Sequence, residues 1–334
     1  MDKNILLTIA IPTFNRAEYL DICLSQFAKQ IEPYNDIIEV IVTNNFSSDN
    51  TSQIVDKYHD QFSILRYEIQ KENIGADSNI EWCYRNSNGK YLWVFGDDDL
   101  ILDNKLSIIV ELLKNNNLDI LFVKGYGFAN DHQGEYPTRK AVFEKSPYKH
   151  FANKKKYIAA VNYFITFVSG NIVNKEIIPP DFSCSRFIST NLVQVGWILE
   201  AYIEGKEFGV VNELVMAIKT NNTGGYKLFE TFSTNFNSIL EFMNVNRGLS
   251  RSVNRIIHFN MLLTFFPQFI LQSRINNQQK FSEENIKQVL KTAYSNNIWF
   301  WVFTMPLFIL PIGVGKFYQK HILNNINRVK NVFV

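Results

Sequence analysis

Residues 5–11, Ile-Leu-Leu-Thr-Ile-Ala-Ile, form an apolar run without polar alternation. That is the pattern of a strand covered on both faces, and hence of a parallel sheet with helices on either side. The rhythm that follows repeats the constraint. The spacing predicts a helix over 17–31 with Leu20, Leu24, Phe27 and Ile31 on one face, then a strand at 37–43, a helix at 51–62, a strand at 64–69, a helix at 78–86 and a strand at 91–95. Strand and helix in alternation specify βαβ units. Ligands of such sheets gather at the carboxyl ends of strands, so the loops 12–16, 44–50, 71–77 and 96–100 are expected to border one crevice.

Beyond residue 100 the pattern loosens. A helix at 105–115 and a strand at 119–123 continue it, a mobile loop is expected over 130–156, and a helix at 190–204 should precede closing strands at 208–211 and 214–220. From 225 onward helical patterns dominate, which places a soft boundary at Gly224-Gly225. A chain of 334 residues exceeds the usual single domain. The expected fold is α/β, a mixed, mainly parallel sheet flanked by helices, with a helical C-terminal extension.

The charge of +2 conceals an asymmetry: residues 240–334 hold 11 Lys/Arg against 3 Asp/Glu, leaving 23 against 29 for residues 1–239. A hydrophobic content of 46%, with 28 Phe, excludes a disordered chain and favours contact with lipid. Cys23, Cys83 and Cys184 lack metal-ligand spacing and are read as reduced, buried thiols of a cytosolic protein. The apolar stretch near the N-terminus is short, follows an acidic residue and runs into Pro12-Thr13, which reads as a strand and not as a signal peptide.

The segment richest in chemistry is 91–100, where an apolar strand stops at Gly96 and presents Asp97, Asp98 and Asp99. Three adjacent carboxylates repel one another, a placement that a bound cation makes tolerable. Mg²⁺ or Mn²⁺ takes such oxygen ligands, completed by substrate phosphates and water. The plainer alternative is a solvated acidic turn capping the next helix.

These residues, with Ile11-Pro12-Thr13-Phe14-Asn15-Arg16, the loop from Val42-Thr43-Asn44-Asn45 to Asp49, Glu72-Asn73-Ile74-Gly75 and Gly89-Lys90-Tyr91, resemble the bacterial family-2 glycosyltransferases of the GT-A fold. The resemblance implies a domain over 1–224, with nucleotide-sugar binding in 1–125 and the acceptor part in 126–224, followed by a basic, membrane-associated extension over 225–334. It places Pro12, Thr13, Asn44 and Asn45 around the donor base and ribose, with Asn15, Arg16, Asn73 and Gly75 also among the donor-binding residues. Asp97 would face the ribose or sugar, and Asp98 and Asp99 would hold the metal that bridges the donor phosphates. For Asn73 and Gly75 a tight turn explains the residues equally well.

Two departures from the family pattern bear on specificity and mechanism. Asn44-Asn45 stands where an acidic pair is common, and an asparagine amide can donate as well as accept, so Asn45 is compatible with a cytidine diphosphate donor. The stretch 188–197, where inverting relatives carry a catalytic acid, contains no carboxylate. Either a general base comes from elsewhere, with Asp181, Glu200 and Glu204 nearest, or configuration is retained without one. The Asn-rich loop, the start of the 190–204 helix and the chain length are similar to the abequosyltransferase branch. That branch transfers dideoxyhexoses from cytidine diphosphate to a lipid-linked O-antigen precursor on the cytoplasmic face of the inner membrane.

Residues 298–315 carry no charge and include Trp299, Phe300, Trp301 and Phe303 with Pro306 and Pro311; Lys316 and Lys320 follow. An interfacial hairpin or helix on an anionic membrane fits best, against a core helix or a membrane span. A nucleotidyltransferase would want a Gly-rich, basic first loop, absent here; an intact acidic triplet argues against a non-catalytic binding protein. Basic residues interleaved with long apolar runs suit lipid better than nucleic acid.

Overall fold

The computed structural model describes residues 4–137, 146–220, 225–276 and 285–332. In chain order it contains β1 (Leu7–Thr13), α1 (Ala17–Ile31), β2 (Ile38–Asn44), α2 (Thr51–Tyr58), β3 (Leu65–Ile69), α3 (Ala76–Asn86), β4 (Tyr91–Val94), β5 (Leu100–Ile101), α4 (Lys105–Asn115), β6 (Ile120–Phe128), β7 (Tyr148–Phe151), α5 (Lys154–Val161), β8 (Asn171–Asn174), α6 (Val193–Glu204) and β9 (Phe208–Lys219). The chain divides into two compact units. One comprises Met1–Lys154, Phe164–Ser189 and Val193–Asn222; the other Lys155–Tyr163, Thr190–Leu192 and Thr223–Val334.

The first unit is built on a mixed sheet in the order β3-β2-β1-β4-β8-β6-β9-β5, with β7 also on β9. Its N-terminal part, β3-β2-β1-β4, is wholly parallel. Parallel strands need helical crossovers, and α1, α2 and α3 supply them. The register Thr13↔Asn44↔Ile69 ends the first three strands level, which brings their following loops to one edge. From β8 onward the pairing becomes mainly antiparallel, with β6 and β9 the parallel exception.

β1 and β2 bury nearly every side chain, as the unalternating run requires. Beneath the end of β4 the rings of Phe27, Trp93 and Phe95 pack edge to face, Phe27 to Phe95 and Trp93 to Phe95 both with centroids 5.0 Å apart. Trp93 Nε1 donates to the Ser169 carbonyl at 2.7 Å, which pins the segment before β8 behind the strand.

Several expectations change. The closing strands at 208–211 and 214–220 are one strand, β9, with a register irregularity between Val210 and Leu214. The helix expected from 190 starts at Val193, because Ser189 (φ 75°) and Asn191 (φ 60°) adopt left-handed backbone that cannot continue a helix. Within the loop expected at 130–156, β7 pairs antiparallel with β9 over Tyr148–Phe151 and α5 begins at Lys154; residues 138–145, like Gly224, lie outside the described residues.

The second unit is helical. Phe229 and Phe266 stack with centroids 6.1 Å apart, and Tyr294 meets Phe266 at 5.7 Å. The segment 298–315 is a π-turn at Phe300–Thr304, a short helix at Pro306–Ile309 and a new helix from Ile312. Arg274 holds the break, donating to the carbonyls of Leu307 and Leu310. No helix among the described residues is long and apolar enough to cross a membrane.

Candidate active site

At the end of β4 the chain turns on itself: Asp99 N–H donates to the Gly96 carbonyl at 3.1 Å, so Asp97 and Asp98 form the corners of a tight turn. Space at Gly96 is tight. A Cβ there would stand 3.1 Å from Asp99 Oδ2, 3.2 Å from Asp98 Oδ1 and 3.4 Å from Ser169 Oγ.

Asp97 is buried and held from two sides, by Thr13 Oγ1 at 2.7 Å and Arg16 Nη1 at 3.0 Å. The same guanidinium nitrogen lies 3.6 Å from Asp98 Oδ2. The end of β1 and the residue before α1 thus supply the two groups that anchor the acidic turn. Burial pushes the Asp97 carboxyl up to about 6; Arg16 opposes this, while the Asp98 charge adds to it.

Asp99 is also buried. Its Oδ2 accepts from Ser169 Oγ at 2.6 Å and its Oδ1 from Lys219 N–H at 3.2 Å. Burial and the Asp98 charge raise it to about 8 against those two donors. Below the turn, burial and the three carboxylates hold the Cys23 thiol well above its ordinary value, which makes it inert.

The donor set suits a hard cation. Asp98 and Asp99 place hard carboxylate oxygens side by side just beyond β4, and the triplet's charge exceeds that of the Arg16 bonded to it. No group of three or more His, Cys, Asp or Glu side chains is arranged around a common ion position among the described residues. An ion held by two of these carboxylates would therefore draw the rest of its shell from phosphate and water, as Mg²⁺ and Mn²⁺ commonly do.

The second cluster lies at the ends of β2 and β3. Asn45 is buried; its Oδ1 accepts from Ile74 N–H at 2.9 Å and its Nδ2 donates to Asn73 Oδ1 at 2.8 Å, which also accepts from Gly75 N–H at 3.0 Å. Because a backbone N–H can only donate, this network fixes which way the Asn45 amide points. Gly75 at φ 84° supplies the left-handed turn into α3. Asn44 bridges Tyr67 Oη and Ser47 N–H.

Asn15 ties the β1 and β2 loops together. Its N–H donates to Ser47 Oγ and its Oδ1 accepts from Ser48 N–H, both at 2.8 Å. Asp49 does the same from the other side, accepting from Ala17 N–H and Thr51 N–H at 2.9 and 3.1 Å. Burial alone would raise the Asp49 carboxyl, but its hydrogen bonds to Thr51 and Ala17 outweigh this and hold it below its ordinary value. Pro12 pairs with Thr43 in the sheet register.

The acids considered as bases are not alike. Glu200 is fully buried in α6, with no solvent face from which to meet an acceptor hydroxyl, whereas Asp181 and Glu204 are exposed. Ser169, the Lys219 backbone and Asp77, whose Oδ1 accepts from Val193 N–H at 3.4 Å at the start of α6, do not emerge from the sequence reading. Each acts across more than 65 positions, without a local motif.

The fold is of the GT-A type, with this acidic turn at the end of β4. The Staphylococcus aureus TarS 1–349 structure in complex with UDP-GlcNAc aligns with 98% of this chain and 91% of that one at a TM-score of 0.58 and 16% identity, a likeness of fold. Residues 8–173 match the family described as Glycosyl transferase family 2, and the chain carries a domain of that family.

Among its relatives is abequosyltransferase RfbV of Salmonella typhimurium, 33% identical over 105 residues that make up 31% of each chain. An uncharacterized glycosyltransferase of Mycoplasma pneumoniae, the MG025 homolog, is 34% identical over 106 residues, 31% of this chain and 35% of that one. The match thus spans well under two thirds of these relatives' own length.

Proposed function

We propose that the chain transfers a sugar from a nucleoside diphosphate donor to a saccharide acceptor, with the donor diphosphate lying over the Gly96 turn. One observation carries this reading: the Asp97-Asp98-Asp99 turn stands at the carboxyl end of β4, where open α/β sheets bind ligands, with Asp98 the least buried of the three. Asp98 and Asp99 would hold Mn²⁺ or Mg²⁺, which neutralises charge developing on the departing diphosphate. Asp97, kept in place by Thr13 and Arg16, would accept hydrogen bonds from the ribose or the transferred sugar. Pro12, Thr13, Asn44 and Asn45 would border the base and ribose, and the brace through Asn15, Asn73 and Gly75 would keep those loops from spreading.

The donor we favour is a cytidine diphosphate dideoxyhexose such as CDP-abequose. Support comes from the Asn45 amide, whose Nδ2 carries a second N–H beyond the one given to Asn73 and so one donor for the unprotonated ring nitrogen of cytosine, and from the likeness to RfbV. The acceptor would be a lipid-linked O-antigen or related surface saccharide, met at the cytoplasmic face of the inner membrane. The helical unit supports that placement with exposed Trp299, Trp301, Ile309 and Phe317 beside Lys316 and Lys320. If configuration inverts, Asp181 and Glu204 are exposed and could serve as base, whereas Glu200 is buried in the core.

Thermal shift with CDP, UDP, GDP and dTDP, each with and without Mn²⁺, tests the donor class. Stabilisation by CDP that depends on Mn²⁺ is expected. A protein that no nucleoside diphosphate stabilises under either condition would overturn the assignment.

A further inference from the structure

Phe46 stands one residue beyond Asn45, on the loop that follows β2, in a conformation its side chain disfavours. Its φ is 66°, left-handed backbone that a bulky residue rarely adopts, and the residue is 56% exposed, so little packing compensates the strain. Nor is the loop free to relax. Asn44 Oδ1 accepts from Ser47 N–H at 2.7 Å, Asn15 bonds both Ser47 and Ser48, and Asp49 Oδ2 accepts from Ala17 N–H. These bonds tie the residues on either side of Phe46 to the end of β2 and the start of α1. The result is an aromatic face held out to solvent on a rigid support beside the buried Asn45 amide. A surface loop gains nothing from such an arrangement, and a glycine would adopt the same backbone without strain.

We infer that Phe46 is a stacking platform for the base of the nucleotide donor. Every nucleobase presents a π-face, so an aromatic ring contributes affinity without choosing between bases, and the choice is left to a hydrogen-bonding group such as Asn45. The two residues have separate roles, Phe46 setting how tightly the nucleoside is held and Asn45 which base is preferred. This inference rests on the nucleotide-donor reading above.

Calorimetric titration of CDP and UDP, with Mn²⁺, into the wild-type chain and into Phe46→Gly, Phe46→Leu and Phe46→Trp tests it. Phe46→Gly should melt no lower than wild type, since it releases the strained backbone, yet bind both nucleotides about 5- to 150-fold more weakly, the equivalent of 1–3 kcal/mol for one base–aromatic stack. The ratio of CDP to UDP affinity should not change. Phe46→Leu, apolar but without a ring face, should be weakened as well, and Phe46→Trp should bind as wild type does. If wild type binds nucleotide and Phe46→Gly binds it equally well, or if Leu serves as well as Phe, the stacking role is wrong while the donor reading stands. If wild type binds neither nucleotide, both fall together.

Discussion

The hydroxyl of Ser169 and the carboxylate of Asp99 lie 70 positions apart in the sequence and 2.6 Å apart in the fold, and the same oxygen accepts the Gly96 N–H at 2.9 Å. One side chain before β8 therefore holds both ends of the acidic turn. Ser169→Ala removes both bonds and leaves a buried carboxylate and a backbone N–H short of partners. A loss of about 1–3 kcal/mol in denaturant unfolding is expected. Transfer should fall by about 10- to 100-fold, as when a partner that orients a ligand is lost. Unchanged turnover in a destabilised variant would limit Ser169 to a structural role.

Asp98 is the most exposed of the three carboxylates, with its side chain 16% accessible, and its charge raises the pKa of both neighbours. Removing it should relieve repulsion. Asp98→Asn is expected to melt at or above the wild-type temperature while losing roughly 10²–10³-fold or more in turnover, the scale for loss of an electrostatic group at a reacting centre. A chelator should silence the wild-type enzyme to a similar degree. Near-normal turnover in the chelator would sink the assignment of Asp98 and Asp99 to a metal.

The parallel half of the fold is legible in sequence because its information is local. The run at 5–11, the amphipathic spacing of Leu20, Leu24, Phe27 and Ile31, and the stop at Gly96 each announce an element within a few residues, and α1 and α4 take the expected bounds. What depends on long-range pairing is not legible. The partners of Asp99 come from Ser169 and from the backbone at Lys219, and no spacing rule links residues that separate elements bring together. The start of α6 is misread because the left-handed backbone at Asn191 is a conformation that asparagine tolerates but does not announce.

His258 is a pH-sensitive element of the helical unit. Its Nε2 meets Asn237 Oδ1 at 2.9 Å, its ring contacts Tyr294 edge to face, and burial lowers its pKa to about 4. The folded imidazole thus stays neutral at pH values where the unfolded one, at its ordinary 6.5, already binds a proton, so stability is lost as pH falls from 6.5 toward 4. By pH 5 this group alone should cost roughly 2 kcal/mol relative to pH 7.5. His258→Gln has no such titration, so the difference in unfolding free energy between wild type and variant should narrow or reverse as pH drops. Parallel pH profiles would show that His258 does not contribute.

Asn45→Asp probes base reading and loop support together. A carboxylate can still accept from Ile74 N–H, but its other oxygen would face Asn73 Oδ1, itself an acceptor for Gly75 N–H. The turn at 73–75 should loosen by about 1–3 kcal/mol, visible as a lower melting temperature. Preference should also swing from CDP toward UDP by roughly 5- to 150-fold, since a carboxylate accepts from the uracil N–H and repels the cytosine nitrogen. Calorimetry with both nucleotides on both proteins decides the second point, and an unchanged order of affinity would remove Asn45 from base selection.

Membrane association is best tested by substitution, because deleting 298–334 would also strip Phe300, Phe303, Leu307 and Leu323 from the interior of the helical unit. The exposed groups can be changed alone. Trp301, Ile309 and Phe317 are 42%, 67% and 60% accessible, and Lys316, Lys320 and Arg328 are exposed in the same stretch. Inserting a large apolar side chain into the headgroup boundary contributes up to about 1.5–3 kcal/mol, and each Lys or Arg near an anionic surface about 1 kcal/mol. The triple variant Trp301→Ser, Ile309→Ser, Phe317→Ser should melt somewhat below wild type, since Trp301 Nε1 donates to the Ser295 carbonyl at 2.9 Å, yet fold and bind vesicles containing anionic phospholipid at least about 100-fold more weakly in flotation, since these contributions together exceed the 2.7 kcal/mol that such a factor represents. Wild-type binding should weaken with salt, because its basic residues act through a screened field. If the variant floats with vesicles as well as wild type does, this surface is not what meets the membrane.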